Sequence, residues 1–168
     1  YNMSHVYGTL KRLGEHYTTL LGGLSTRFWN VYGYEESSEK SHVIADMIHK
    51  WKQNGYIDLM TSGEEERQFL HTDDCAKALT RLMENYDEVV KTETSVDITN
   101  FEWNTILDVA NIINEDIPCK ITPSKEIDTV QLNKRNESDP YILNYWKPTI
   151  SLKEGIKKII TQIQNGTI

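Results

Sequence analysis

The chain has 168 residues, 38% of them hydrophobic and 26% charged, with a net charge of −7. That length supports about one domain with a core of its own, and the composition excludes wholesale disorder. Its dispersed acidity disfavours a nucleic-acid partner, which needs a basic face, and no run reaches the roughly 18 apolar residues of a membrane span.

Two cysteines, Cys75 and Cys119, lie far apart without the spacing of a zinc site or a disulfide framework. No metal site is therefore expected, and a reducing, cytoplasmic compartment fits. The chain opens on Tyr1 and runs almost directly into a helical pattern. This reads as the later part of a longer protein, with a processed N-terminus as the alternative.

Val6, Leu10, Leu13, Tyr17 and Leu20 recur at three- and four-residue steps, which predicts an amphipathic helix over 4–21 with Ser4 as its cap. Gly22-Gly23 ends it. Residues 24–31 read as a strand, 34–40 as a polar loop and 41–54 as a second helix closed by Gly55. Short strands are expected at 56–60 and 68–71. Thr72-Asp73-Asp74 should open a helix to about Asn85, the acidic side chains capping its N-terminus rather than binding metal. His71 reads as a packing residue. A strand at 95–99, a helix at 101–114 and a strand at 117–122 follow. Residues 126–138 read as loop, and 139–146 as a short helix before Pro148. Ser151 and Glu154 form a capping-box pattern at the start of a last helix, 151–164. Alternating strands and helices predict an α/β fold with some parallel sheet.

Tyr7 and Lys11, four residues apart, share one face of the first helix. An ammonium beside a phenol favours the phenolate, a form suited to general acid/base work. The spacing alone arises readily by chance, and a plain surface contact explains it equally well.

The surrounding motifs add to it. Tyr7-Gly-Thr-Leu-Lys-Arg-Leu-Gly-Glu15 resembles the Y-G-x-x-K-x-x-G-E signature of the extended short-chain dehydrogenases/reductases, the NAD-dependent nucleotide-sugar epimerases and dehydratases. Arg27-Phe-Trp-Asn-Val-Tyr-Gly33 resembles the family's R-x-x-N-x-Y-G segment. Arg67-Gln-Phe-Leu-His-Thr-Asp-Asp74 resembles its R-D-F-I-H-V-D-D segment, and Trp146 to Gly155 its G-W-x-P-x-x-x-L-x-E-G ending. The matches keep the family's order.

The resemblance implies the C-terminal part of a Rossmann-type doubly wound domain, interleaved with a small α/β substrate-binding domain. The Rossmann part would span roughly 1–33 and 65–100, and the substrate-binding part roughly 34–64 and 101–168. Tyr7 would be the catalytic acid/base, with Lys11 its partner and the grip on the nicotinamide ribose. The backbone at Phe28 would lie beside the nicotinamide. Asn30 and Arg67 would contact the diphosphate of the sugar nucleotide, Arg67 through paired charge-assisted bonds. Ser41 and His42, at the start of the second helix, would flank the nucleotide, since a helix N-terminus suits an anion.

The cofactor implied is NAD, with NADP open. The partners implied are a nucleotide-sugar substrate and a second copy of the chain, met through the Tyr7 helix. A transient keto-sugar would follow from Tyr7 removing a hydroxyl proton. An NADPH-dependent keto-sugar reductase and a non-catalytic nucleotide-sugar-binding module are the alternatives. Two departures stand out: none of the nine glycines forms the family's Gly-rich pyrophosphate turn, and Gln68 stands where an acid is usual.

Overall fold

The computed structural model describes residues 6–36, 41–128 and 136–165. The expected cap Ser4 and the middle of the expected 126–138 loop lie outside these. Helix α1 runs Val6–Leu20 and is followed by strands β1 (Ser25–Phe28) and β2 (Val31–Tyr32). Helix α2 (Val43–Asn54) turns at Gly55, in the left-handed conformation at φ 77°, into β3 (Tyr56–Asp58). Strands β4 (Glu66–Gln68) and β5 (Leu70–His71) lead into α3 (Thr72–Glu84) and the short α4 (Tyr86–Val89). Then come β6 (Ser95–Ile98), β7 (Trp103–Thr105), α5 (Ile106–Asp116) and β8 (Lys120–Thr122). A 3-10 helix (Pro140–Asn144) and α6 (Leu152–Asn165) close the order.

The strands pair two by two. β1 with β6, β2 with β5 and β3 with β8 are parallel, and β4 with β7 is antiparallel. The expected strand 24–31 is broken. Asn30 takes φ 22°, and the chain leaves the β6 neighbour for the β5 neighbour there. The expected helix from Phe101 begins five residues later. Phe101 is left-handed at φ 63°, and Trp103–Thr105 go to β7. A reciprocal capping box sets the true start: the Thr105 hydroxyl accepts from the Asp108 N–H, and the Thr105 N–H donates to the Asp108 carboxylate, each at 2.9 Å. The box expected at Ser151 and Glu154 is present, the Glu154 carboxylate accepting the Ser151 N–H at 3.0 Å.

Two apolar clusters form the core. The larger joins α2, α5 and α6 through Ile44, Ile48, Val109, Ile113, Ile156 and Ile159, with Tyr32 and Phe69 at its edge. The second packs α3 and β6 on the 3-10 helix through Ala78, Leu82, Val96, Ile98, Ile142 and Trp146. Each large aliphatic side chain buried in this way contributes roughly 1.5–3 kcal/mol. Gly155 lies where α6 meets the second strand. A Cβ there would overlap the Tyr32 hydroxyl and come within 3.0 Å of His71, so the close approach requires glycine.

The start of α3 corrects an expectation. Its cap is His71, whose Nδ1 accepts the Asp73 N–H at 3.2 Å. Burial lowers the His71 pKa, which keeps Nδ1 free to accept. Asp73 is exposed and pairs with Lys158 of α6 at 3.3 Å. Asp74 is fully buried. Its carboxylate accepts the N–H groups of Thr149 and Ile150 at 2.6 and 2.7 Å, the Thr149 hydroxyl at 2.7 Å and the Lys77 ammonium at 3.1 Å. It thus fastens the strap between the 3-10 helix and α6 to α3.

Burial pushes the Asp74 carboxyl upward, and the Thr149, Ile150 and Lys77 bonds together outweigh it and hold the group below its ordinary value. A depressed native value means stability that is present above the unfolded value of about 3.9 and lost as pH falls through the native one. Urea unfolding should show the midpoint falling below about pH 4, with a shallower fall in Asp74→Asn. At pH 7 the substitution should cost about 2–4 kcal/mol, because it faces a donor with donors. An unchanged midpoint would remove Asp74 from the scaffold.

Candidate functional site

Two cavities flank the backbone from Phe28 to Asn30. The first, of about 860 Å³, lies between α1 and β1 and is lined by Tyr7, Lys11, Glu15, Thr26 and Phe28 among others. The Lys11 ammonium stands 5.4 Å from the centroid of the Tyr7 ring, as the four-residue spacing requires. Tyr7 is 74% exposed and Phe28 52% exposed, so both present their atoms to this space.

Helix α1 has no buried residue, and Val6, Leu10, Leu13, Tyr17 and Leu20 form an exposed apolar stripe along it. An ion pair ties it to the sheet. Arg27 Nε and Nη2 donate to the two Glu15 carboxylate oxygens at 2.7 and 2.8 Å. This is the bidentate form, in which geometry and charge reinforce each other. Arg27 Nη1 also lies 4.0 Å from Asp97 of β6. Glu15 follows Lys11 by one helical turn and Arg27 precedes Phe28, so the pair sets the width of the cavity.

The second cavity, of about 230 Å³, is lined by Asn30, Tyr32, His42, Arg67, Phe69 and Ile106, with Val31, Val43 and Ile44. It gathers three of the four residues expected to bind substrate. Ser41 is not on the lining of either cavity. The Asn30 side-chain amide donates to the Gln68 carbonyl at 3.3 Å, and the Asn30 carbonyl accepts the Leu70 N–H at 3.2 Å. Arg67 donates to the Glu66 carbonyl at 2.9 Å and to the Asp128 carboxylate at 3.2 Å. His42 occupies the cap position of α2, and its N–H donates to both Glu35 carboxylate oxygens at 3.1 and 3.2 Å. Its ring Nδ1 lies 3.0 Å from the same carboxylate.

The sequence missed the residues that hold these side chains in place. Glu15 sits inside a motif and carried a signal. Asp128 is 61 residues from Arg67, and nothing local marks the pair. Gln68 is buried and accepts the Ser138 hydroxyl at 3.1 Å, a bond to a neutral donor that an amide makes well. Among the described residues no group of three or more His, Cys, Asp or Glu side chains could hold a metal, and no helix is long and apolar enough to cross a membrane.

Residues 1–98 match the family model described as the NAD dependent epimerase/dehydratase family. A Methanocaldococcus jannaschii protein assigned as a UDP-glucose 4-epimerase is 26% identical over 176 residues, covering 95% of this chain and 53% of that protein. Among solved structures, a UDP-glucose 4-epimerase of Thermotoga maritima with UDP-glucose superposes at TM-score 0.80 and 18% identity, over 95% of this chain and 53% of that one. A UDP-glucuronic acid 4-epimerase of Bacillus cereus, in complex with UDP-glucuronic acid and NAD, gives TM-score 0.72 at 21% identity, over 95% and 52%. The fold is therefore that of about half of a Rossmann-type epimerase, and the chain spans about half the length of these relatives.

Glu15→Gln keeps the shape of the α1 contact and removes its charge. Amide hydrogen exchange along α1 should accelerate about fivefold, the equivalent of roughly 1 kcal/mol for a part-exposed charged pair. Exchange in α5 should stay as it is. Unchanged α1 exchange would show that the helix is held by something other than Arg27.

Proposed function

Because the chain belongs to the NAD-dependent epimerase/dehydratase family, we propose that the whole protein is a nucleotide-sugar epimerase or dehydratase that works through Tyr7 and Lys11. The observation that carries this reading is the meeting of Tyr7, Lys11 and Phe28 around one cavity, two residues along the chain from the Asn30–Arg67 cavity. Reacting and recognising groups thus adjoin.

The first cavity fits the nicotinamide end of a dinucleotide. A phenol and an ammonium stand on one wall and the Phe28 strand on the other. Lys11 would grip the ribose hydroxyls, and the Phe28 backbone would lie along the ring. When bound, NAD supplies a hydride acceptor that can return what it takes, and the residues present leave NADP equally open.

The chain's own residues then divide the work. Tyr7 takes the proton of a sugar hydroxyl at its phenol oxygen as that carbon is oxidised to a keto-sugar. The Lys11 ammonium, 5.4 Å from the centroid of its ring, places a positive charge beside it. Arg67 and the α2 N-terminus bind the diphosphate, and Asn30 orients it across the turn between β1 and β2.

This reading divides the chain into a Rossmann part at roughly 1–33 and 65–100 and a substrate-binding part at roughly 34–64 and 101–168, and the second apolar cluster crosses that division where Ile142 and Trp146 pack on α3 and β6. The exposed stripe of α1 suits a helical interface with a second copy of the chain. The test is turnover of UDP-, GDP- and dTDP-sugars by the whole protein. Tyr7→Phe should lower it by about 10²–10⁴ and leave nucleotide-sugar affinity within a factor of about two. Turnover retained in Tyr7→Phe would overturn the assignment.

A further inference from the structure

Two carboxylates stand on the two anion-seeking groups of the second cavity. Asp128 holds the Arg67 guanidinium, and Glu35 holds the N–H of His42 where α2 begins. Both Arg67 and His42 line the same space. A guanidinium and a helix N-terminus are what a phosphate binds.

The geometry of these contacts differs from that of the Arg27–Glu15 clamp. Glu15 meets Arg27 with two bonds at 2.7 and 2.8 Å. Asp128 meets Arg67 through Nη2 at 3.2 Å, and Glu35 meets the His42 N–H at 3.1 and 3.2 Å, near the long end of the hydrogen-bond range, with the His42 ring Nδ1 3.0 Å from the same carboxylate. Arg67 also keeps its 2.9 Å bond to the Glu66 carbonyl, so its guanidinium stays anchored if Asp128 leaves. The chain just before Asp128 is fixed independently. Ser62 N–H donates to the Glu126 carbonyl at 2.7 Å, and Ser124 N–H to the Thr61 carbonyl at 3.0 Å.

We propose that Asp128 and Glu35 compete with a substrate diphosphate for Arg67 and the α2 N-terminus, and so set the affinity of the site. The proposal rests on the reading of this cavity as the diphosphate site. A diphosphate carries more negative charge than either carboxylate and repels both, so it binds by displacing them. Tight binding is thereby reserved for ligands that present two linked phosphates, because a single anion replaces only one carboxylate.

The experiment is calorimetric titration of the chain with UDP, GDP and inorganic phosphate. Asp128→Asn should tighten nucleoside diphosphate binding by about two- to fivefold, the range of a part-exposed ion pair. Glu35→Gln should act in the same direction, and the double variant should narrow the preference for diphosphate over phosphate. Asp87→Asn on the remote α4 makes the same charge change and should leave affinity as it was. In the Arg67→Gln background the Asp128→Asn gain should vanish. Unchanged or weaker binding in Asp128→Asn would overturn the proposal and make Asp128 a residue that positions Arg67. Absence of diphosphate binding in every variant would overturn both the proposal and the reading of the cavity beneath it.

Discussion

The bidentate pair between Glu15 and Arg27 is the contact on which the arrangement depends. Helix α1 buries none of its residues within this chain, which spans about half the length of its relatives, and the bidentate pair ties it to the sheet. Tyr7, Lys11 and Glu15 fall one turn apart on one face, and Arg27 sits beside Phe28 on the strand opposite. This ion pair links the helix face that carries the phenol and ammonium to the strand that carries Phe28. Asp97 extends the link to β6, where its other carboxylate oxygen accepts the Asp139 N–H at 2.9 Å.

The second constraint is the bend at Asn30. A strand running straight from 24 to 31 would put Phe28 and Asn30 on the same face, since side chains alternate. The φ of 22° at Asn30 breaks that alternation and passes the chain from β6 to β5. Phe28 then lines one cavity and Asn30 the other. Backbone in this region is costly for a residue other than glycine, and asparagine tolerates it better than most. The bend is held on both sides, by the Asn30 amide on the Gln68 carbonyl and by the Leu70 N–H on the Asn30 carbonyl.

What was legible in the sequence follows from the range of each interaction. The helices α1, α2, α3 and α6 were visible because apolar periodicity and capping residues are local, as at Ser151 and Glu154. The breaks within 24–31 and 68–71 were not, because a strand of two or three residues is defined by its partner rather than by its own pattern. The helix expected from Phe101 failed for a related reason. Thr105 and Asp108 give a cap signal, but the aromatic residues Phe101 and Trp103 masked it, and β4 claimed Trp103–Thr105 for pairing. Of the proposed site residues, Tyr7, Lys11, Phe28, Asn30 and Arg67 came from motifs and His42 and Ser41 from the start of the second helix, and all but Ser41 line one of two neighbouring cavities. Glu35 on His42 and Asp128 on Arg67 were not legible, nor were Ser138 on Gln68 and Asp139 on Asp97, since each is defined by an approach in three dimensions. Asp74 was misjudged because helix capping is the common use of an acid at that position, and the strap at Thr149 lies 75 residues away.

The most direct measurement is a titration of the isotopically labelled chain with UDP-glucose, followed through its backbone amide resonances. The account expects shifts centred on Asn30, His42 and Arg67 and reaching Phe28, with α6 undisturbed. Shifts centred on the face between α3 and α6, around Asp73 and Lys158, or the lack of any shift at saturating ligand, would contradict the placement of the sugar-nucleotide site.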